Sequence, residues 1–183
     1  VEQVKPLRAD GRRNRERIVA VAAELVGRDG AQVSLEEISR RAGVGSATLH
    51  RHFPSRQALL EAVFREGVAQ LCARAAAQPG KEPAAELASW LEELTVYTAT
   101  HRGLATALLA GPDGLSAEEI CCTDMLLDVL NVLVVRASSA GVLHSGATSE
   151  DLITLANSIA VANEDDPLTA RRVLRLALNG IRP

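Results

Sequence analysis

Residues 46–52, Ser-Ala-Thr-Leu-His-Arg-His, hold two histidines, an arginine and two hydroxyls at close spacing, and no carboxylate. Hydroxyl, imidazole and guanidinium groups donate to phosphate oxygens and to base edges, and small residues such as Ser46 and Ala47 let a backbone come close to a groove wall. A solvated surface helix more often carries carboxylates as well. The chemistry that fits is contact with a nucleic acid: Ser46, Ala47, Arg51 and His52 for base readout, Thr48 and His50 for phosphates. Arg56, just downstream, and Arg12 and Arg13, upstream, add cations for the backbone.

Such side chains need elements to aim them. Ser34 is placed to cap a helix, and Glu37, three residues on, to close a capping box by reaching back to the Ser34 N–H. Leu35, Ile38, Ser39 and Ala42 recur at helical spacing as an inward face. Gly43 ends that helix, Val44 plugs the corner, and Gly45 and Ser46 open a second helix that Pro54 stops after Phe53. Its inward residues are Leu49 and Phe53. Two short helices about a tight turn, the second carrying the donors, make a helix-turn-helix.

With these residues named, the segment from about Arg15 to Glu66 resembles the DNA-binding domain of TetR-type transcriptional repressors. The resemblance rests on Ile18 in the first helix, on Ala42-Gly43-Val44, and on Thr48-Leu49-His50-Arg51-His52-Phe53. Gly45 stands where that family usually has a serine cap, His50 where it usually has tyrosine, and Arg56 where it commonly has lysine. Ser34 joins the expected DNA-contact set. The resemblance implies a homodimer on a palindromic operator in double-stranded DNA, the last two long helices forming the dimer contact, and a bundle enclosing a small-molecule effector pocket.

The 183 residues carry a net charge of −3. The excess is four positive charges through Arg65 and seven negative charges after it, as expected of a chain that grips nucleic acid with one end. Aliphatic residues abound and aromatic residues make up only 2%, which favours an all-α fold. No apolar run approaches the roughly 20 residues a membrane-spanning helix needs. No charged-then-apolar leader is read at the start, so the cytoplasm is the expected compartment. Cys72, Cys121 and Cys122 have neither disulfide-framework nor metal spacing. They read as core filler, with a vicinal redox pair at Cys121 and Cys122 as the sharper alternative.

In chain order, residues 1–14 read as a basic arm without helical period, residues 15–66 as the DNA-binding domain, and residues 67–183 as the effector-binding and dimerisation domain. Ser55 is placed to cap a helix running to about Ala77, which joins the two halves. Residues 78–83 form a linker. Leu87, Trp90, Leu91, Leu94, Tyr97 and His101 mark the next helix, followed by a short one over 104–110. A helix from Ser116 to about Ala140 is apolar nearly all round and is expected at the centre of the bundle. Ser149 is placed to cap the next helix, and Asp166-Pro167 to start the last.

The effector is expected against Trp90, Leu94, Tyr97, His101, Leu108, Met125, Asp128 and Val129. Asp124, Asp128 and Asn131 share one face, which is either a polar handle inside the cavity or simply the solvent side. The dimer contact is expected at Leu152, Leu155, Ile159, Val173, Leu174, Ala177, Leu178 and Ile181. No catalytic constellation is read: the four histidines lack ligand spacing, the paired acidic residues sit at helix starts or exposed positions, and a phosphate-binding glycine loop is missing. No cofactor and no metal is expected. An architectural DNA protein without effector and, more remotely, an all-α enzyme are the alternatives to a ligand-released repressor.

Overall fold

The computed structural model describes residues 5–76, 82–101, 103, 117–143, 146–164 and 166–180. Among these the regular elements are helices: α1 (Lys5–Asp29), α2 (Leu35–Arg41), α3 (Ser46–His52), α4 (Arg56–Ala76), α5 (Pro83–Thr100), α6 (Ala117–Ser139), α7 (Ser149–Ala162) and α8 (Pro167–Gly180). Helix α1 begins at Lys5, ten residues before the expected start at Arg15, so the segment read as a non-helical arm is partly the first turns of α1. Arg12–Glu16 and Asp10–Arg13 pairs at helical spacing support those turns. That charge pattern has no apolar stripe, and hydrophobic period alone misses it.

The first core gathers Ile18, Ala22, Leu25 and Val26 of α1, Ile38 of α2, Leu49 of α3, and Leu59, Leu60 and Val63 of α4. The second takes Val68 and Leu71 from the far half of α4 and packs them with Leu91 and Leu94 of α5, Leu126, Leu130 and Leu133 of α6, Leu152 of α7, and Leu174 and Leu178 of α8. Phe64 touches both cores. Helix α4 is therefore one rod shared by two hydrophobic clusters.

The central helix of the bundle is α5, which packs against α4, α6, α7 and α8. Helix α6, expected there, is one-sided: Leu126, Leu130, Leu133 and Ala137 face inward, while Val132 and Val135 are 59% and 63% exposed. Asp124, Asp128 and Asn131 are exposed too, which settles their face as the outer one. Glu92 of α5 ties down α8 through a two-pronged pair with Arg175 at 2.6 and 2.8 Å and a further contact with Arg171 at 3.4 Å.

Helix starts follow side-chain oxygens. Glu82 accepts from the N–H groups of Ala84 and Ala85 ahead of Pro83. Helix α7 is capped by Thr148, not Ser149: Thr148 and Asp151 form a reciprocal capping box, and Ser149, buried, donates to Asn131. Asp166 caps α8 by accepting from the Thr169 N–H at 3.0 Å. The expected short helix over 104–110, the linker but for Glu82 and Pro83, Leu108, Ile181 and the Cys121 side chain lie outside the described residues. Cys122 is 2% exposed, and burial pushes the Cys72 thiol pKa up.

Candidate functional site

Helix α2 closes with a double backbone bond: the Val44 N–H donates to Ser39 at 3.0 Å and the Gly43 N–H to Arg40 at 3.2 Å. This stop needs a left-handed residue, and Gly43 supplies it at φ +63°. The chain then turns into α3, whose cap Gly45 offers no side chain. Leu49 and Phe53, 1% and 2% exposed, root α3 in the first core. The Arg15 guanidinium stacks 5.3 Å from the Phe53 ring centre, so α1 also holds the end of the turn.

Rooting α3 this way leaves Ser46, Ala47, His50 and Arg51 exposed and Thr48 and His52 half-buried. The two helices of the motif differ in charge balance. On α2, Arg40 makes two 2.8 Å bonds to Glu37, and Arg41 pairs with both Glu37 and Glu24. On α3 there is no acidic side chain, and Arg51 has no ion pair among the described residues. The arginines of α2 are neutralised within the fold; Arg51 of α3 has no such partner among the described residues.

Two expected roles shift. Ser34 does cap α2, accepting from Glu36 at 3.2 Å, but Glu37 turns to Arg40 and Arg41 instead of reaching back to Ser34. Two guanidinium partners outbid one backbone N–H for a carboxylate, and Arg40's hydrogen bond holds the Glu37 pKa below its ordinary value. Arg56, expected as a phosphate contact, is half-buried and donates from Nη1 to the carbonyls of Ala31 at 3.1 Å and Val33 at 2.5 Å. It braces the loop ahead of α2. Arg12 and Arg13 are exposed on the early turns of α1, in long ion pairs of 3.6 and 3.5 Å.

The residues expected to line one effector pocket separate. Leu94, Tyr97 and His101 do line a cavity of about 310 Å³, closed by Phe64 from α4, Thr123 and Leu126 from α6, and Ile153 and Asn157 from α7. Asp128 and Val129 open instead onto a different groove, on the outer side of α6. Trp90 lines a narrow cleft beside that groove, and Met125 packs into the core. The reason is helical phase: Trp90 and Leu94 share a stripe, but the stripe meets different neighbours along its length.

Tyr97 and His101 give the cavity a polar yet uncharged edge. Their rings lie 4.2 Å apart, and His101 Nδ1 donates to the Tyr97 carbonyl at 2.8 Å, which fixes the proton on Nδ1 and leaves Nε2 an acceptor. Burial lowers the His101 pKa and raises that of Tyr97, so both are neutral near pH 7. Tyr97 also touches the N-terminal half, and His101 lies near it. Tyr97 Oη makes a long 3.5 Å bond to the Val63 carbonyl, and its ring occupies the place a side chain on Gly67 would take. A Cβ on Gly27 of α1 would come within 4.0 Å of the His101 ring. Sequence reasoning missed Phe64, Ile153, Asn157 and Gly67; a glycine in mid-helix, where alanine is favoured, was the one signal on offer.

Of the residues expected at a dimer contact, three are committed to the chain's own interior. Leu152, Leu174 and Leu178 are 2%, 0% and 6% exposed and face the chain's own core. Leu155, Ile159, Val173 and Ala177 are half-buried, the outer face of α8 carries Leu168 and Leu176 at 76% and 61% exposure, and Val161, 51% exposed, edges the Tyr97–His101 cavity. Among the described residues no helix is long and apolar enough to cross a membrane, and no cluster of His, Cys, Asp and Glu could hold a metal ion.

Residues 18–63 match the bacterial regulatory proteins of the TetR family, and residues 82–183 match the C-terminal domain of SbtR-like transcriptional regulators. Solved structures agree over nearly the full length. A TetR transcriptional regulator from Streptomyces coelicolor is 34% identical, covering 92% of this chain and 98% of its own, with a TM-score of 0.73. A TetR regulatory protein from Mycobacterium vanbaalenii is 30% identical, covering 97% and 100%, with a TM-score of 0.71. One from Agrobacterium tumefaciens shares the fold at 21% identity and a TM-score of 0.73, covering 94% and 100%. No curated protein matches the chain. With its helix-turn-helix DNA-binding domain followed by an SbtR-like bundle, the chain belongs to the TetR family of transcriptional regulators and is not an enzyme.

Proposed function

We propose that the protein is a cytoplasmic, ligand-released repressor that binds a palindromic double-stranded operator as a homodimer. The observation that carries this reading is the contrast in charge balance between α2, whose arginines are paired with carboxylates, and α3, whose Arg51 and His50 stand exposed without one. Residues 15–66 act as the DNA-binding unit and residues 67–183 as the effector and dimer unit. Ser46, Ala47, Arg51 and His52 read bases, Thr48 and His50 hold phosphates, and Arg12 and Arg13 add backbone contacts from the start of α1. Ser34 and Arg56 serve by positioning, through the bonds described above.

The homodimer forms across the outer faces of α7 and α8. Leu168 and Leu176 leave an apolar surface on α8 there that a second copy would cover. The effector, an apolar molecule with neutral polar groups, enters the Tyr97–His101 cavity. Because Tyr97 sits against Gly67 and Val63, occupancy there pushes on α4 and changes the spacing of the two recognition helices. The ligand shifts the equilibrium only as far as it prefers the released conformation.

The test is a mobility-shift titration on half-sites selected from random duplex. Arg51→Ala is expected to cost about 1–3 kcal/mol on the selected site and to relax preference at one base position. Arg13→Ala is expected to weaken all sequences alike and to reduce the salt slope by about 1. Two variants that bind as the unaltered protein does would remove the assignment.

A further inference from the structure

A second concavity lies between the outer faces of α4, α5 and α6. Ala75, Val129, Val132 and Leu133 form its apolar wall, and its volume is about 360 Å³. Among the described residues it has no lining residue in common with the Tyr97–His101 cavity. Along α4 the two are separated by the rise from Phe64 to Cys72, about 12 Å.

At one end this groove adjoins a cleft of about 20 Å³, with Ala75, Glu86 and Leu133 common to both. Trp90 and Glu86 line the cleft, and each carries a buried polar atom without a hydrogen-bond partner among the described residues. Trp90 is 4% exposed and its indole N–H has no acceptor; Glu86 is 6% exposed and its Oε2 has no donor. Arg136 Nη1 donates to Glu86 Oε1 at 3.0 Å and also lies 2.8 Å from Oε2, but off the hydrogen-bonding direction. The guanidinium neutralises the carboxylate and leaves one oxygen unfilled.

Buried polar groups are ordinarily paired. Trp90 and Glu86 lie one turn apart on α5 and both line the cleft, so a group that accepts and donates at once is the one suited to an unpaired donor and an unpaired acceptor on these two side chains. A space of this size holds one water-sized group. A hydroxyl accepts from the indole N–H and donates to the carboxylate. An ammonium has no lone pair for the indole, and a carboxylate has no proton for Glu86.

We propose that this groove is a second small-molecule site, taking an apolar molecule that ends in a hydroxyl. Val129, Val132 and Leu133 hold its hydrocarbon, and Trp90 and Glu86 hold its oxygen. The site does not depend on the assignment of the Tyr97–His101 cavity.

Trp90 is the single tryptophan of the chain, so its emission reads the site directly. The full-length protein is titrated with 1-octanol, and with octanoate and octylammonium as chain-length controls. The expected result is a saturable change in Trp90 emission with 1-octanol at a dissociation constant at least tenfold below either control. Val132→Arg, at an exposed position that leaves the core intact, is expected to abolish the response while circular dichroism stays unchanged. Ile153→Phe, which narrows the other cavity, is expected to leave the response in place. Equal binding of octanoate or octylammonium overturns the hydroxyl assignment. A response that survives Val132→Arg and disappears with Ile153→Phe places the alcohol in the Tyr97–His101 cavity and overturns the site, as does the lack of any saturable response.

Discussion

In the helix-turn-helix half, the polar groups that matter stand on the outside of a closed core, whereas in the bundle they edge hollows between helices. Leu49 and Phe53 are nearly inaccessible while Arg51, between them in sequence, is exposed. Tyr97 and His101 are half-buried around a space no side chain fills. A surface that meets DNA requires a stiff base and exposed donors. A pocket that accepts a ligand requires incomplete packing, which lowers stability where it occurs.

The sharpest way to break this contrast is to open a hole in the closed half. Leu49→Ala removes a fully buried side chain of the first core and is expected to cost about 2–5 kcal/mol. In a denaturant titration, helical signal should then be lost in two steps, the first leaving Trp90 emission unchanged because Trp90 belongs to the second core. A single transition with both probes coincident would show that α4 welds the halves into one unit.

Next in size is Leu176→Asp, which places a charge on a side chain 61% exposed in the single chain. The expected outcome is an intact fold and at least a tenfold rise in the dimer dissociation constant, about 1.4 kcal/mol, measured by sedimentation. An unchanged dimer would move the contact away from the outer face of α8.

Gly67→Ala has a smaller, more specific effect. The added methyl takes the space of the Tyr97 ring, so the variant is expected to mimic an occupied cavity: operator affinity falls severalfold with no ligand present. Pairing it with Tyr97→Ala should restore affinity, because the clash is gone. Failure of that rescue would mean the glycine matters to α4 alone.

The smallest effect is on pH dependence. Burial lowers the His101 pKa from its ordinary 6.5, so the unfolded chain binds the proton more readily than the folded one. Stability from this residue is complete above pH about 6.5 and declines as pH falls below it toward the lowered folded value. The difference in melting temperature between the unaltered protein and His101→Gln should therefore shrink on acidification from pH 7.5 to 5.5. A constant difference would mean that His101 titrates alike in both states.

How much of this was legible in the sequence follows from the range of the contacts involved. The motif from Ser34 to Phe53 is local: cap, glycine stop and apolar spacing lie within a few turns, and they specify both the elements and the outward set. Even there, Glu37 had partners on two sides, and spacing alone could not say that Arg40 and Arg41 win over the Ser34 N–H. Helices α5 to α8 showed their period, but a stripe such as Leu152, Leu174 and Leu178 reads the same whether its cover is another helix of the chain or a second copy. The Tyr97–His101 cavity was legible only in part, because Phe64, Ile153 and Asn157 reach it from distant parts of the sequence, and a hollow has no residue of its own. Asp128 needed the rotation of α6 before its face could be known.

The Arg56 brace has a consequence for how release from DNA would look. By holding the carbonyls of Ala31 and Val33, it fastens the start of α4 to the segment that leads into α2. A tilt of α4 therefore carries the whole three-helix head with it, without altering how α3 sits upon that head. In the proposed dimer, the side chains assigned to base readout would keep their arrangement, and only the distance between the two heads would change. On the proposed reading, an effector acting through this rod would lower the affinity for strong and weak operators by the same factor, so weak sites would empty first and the order of preference would be unchanged.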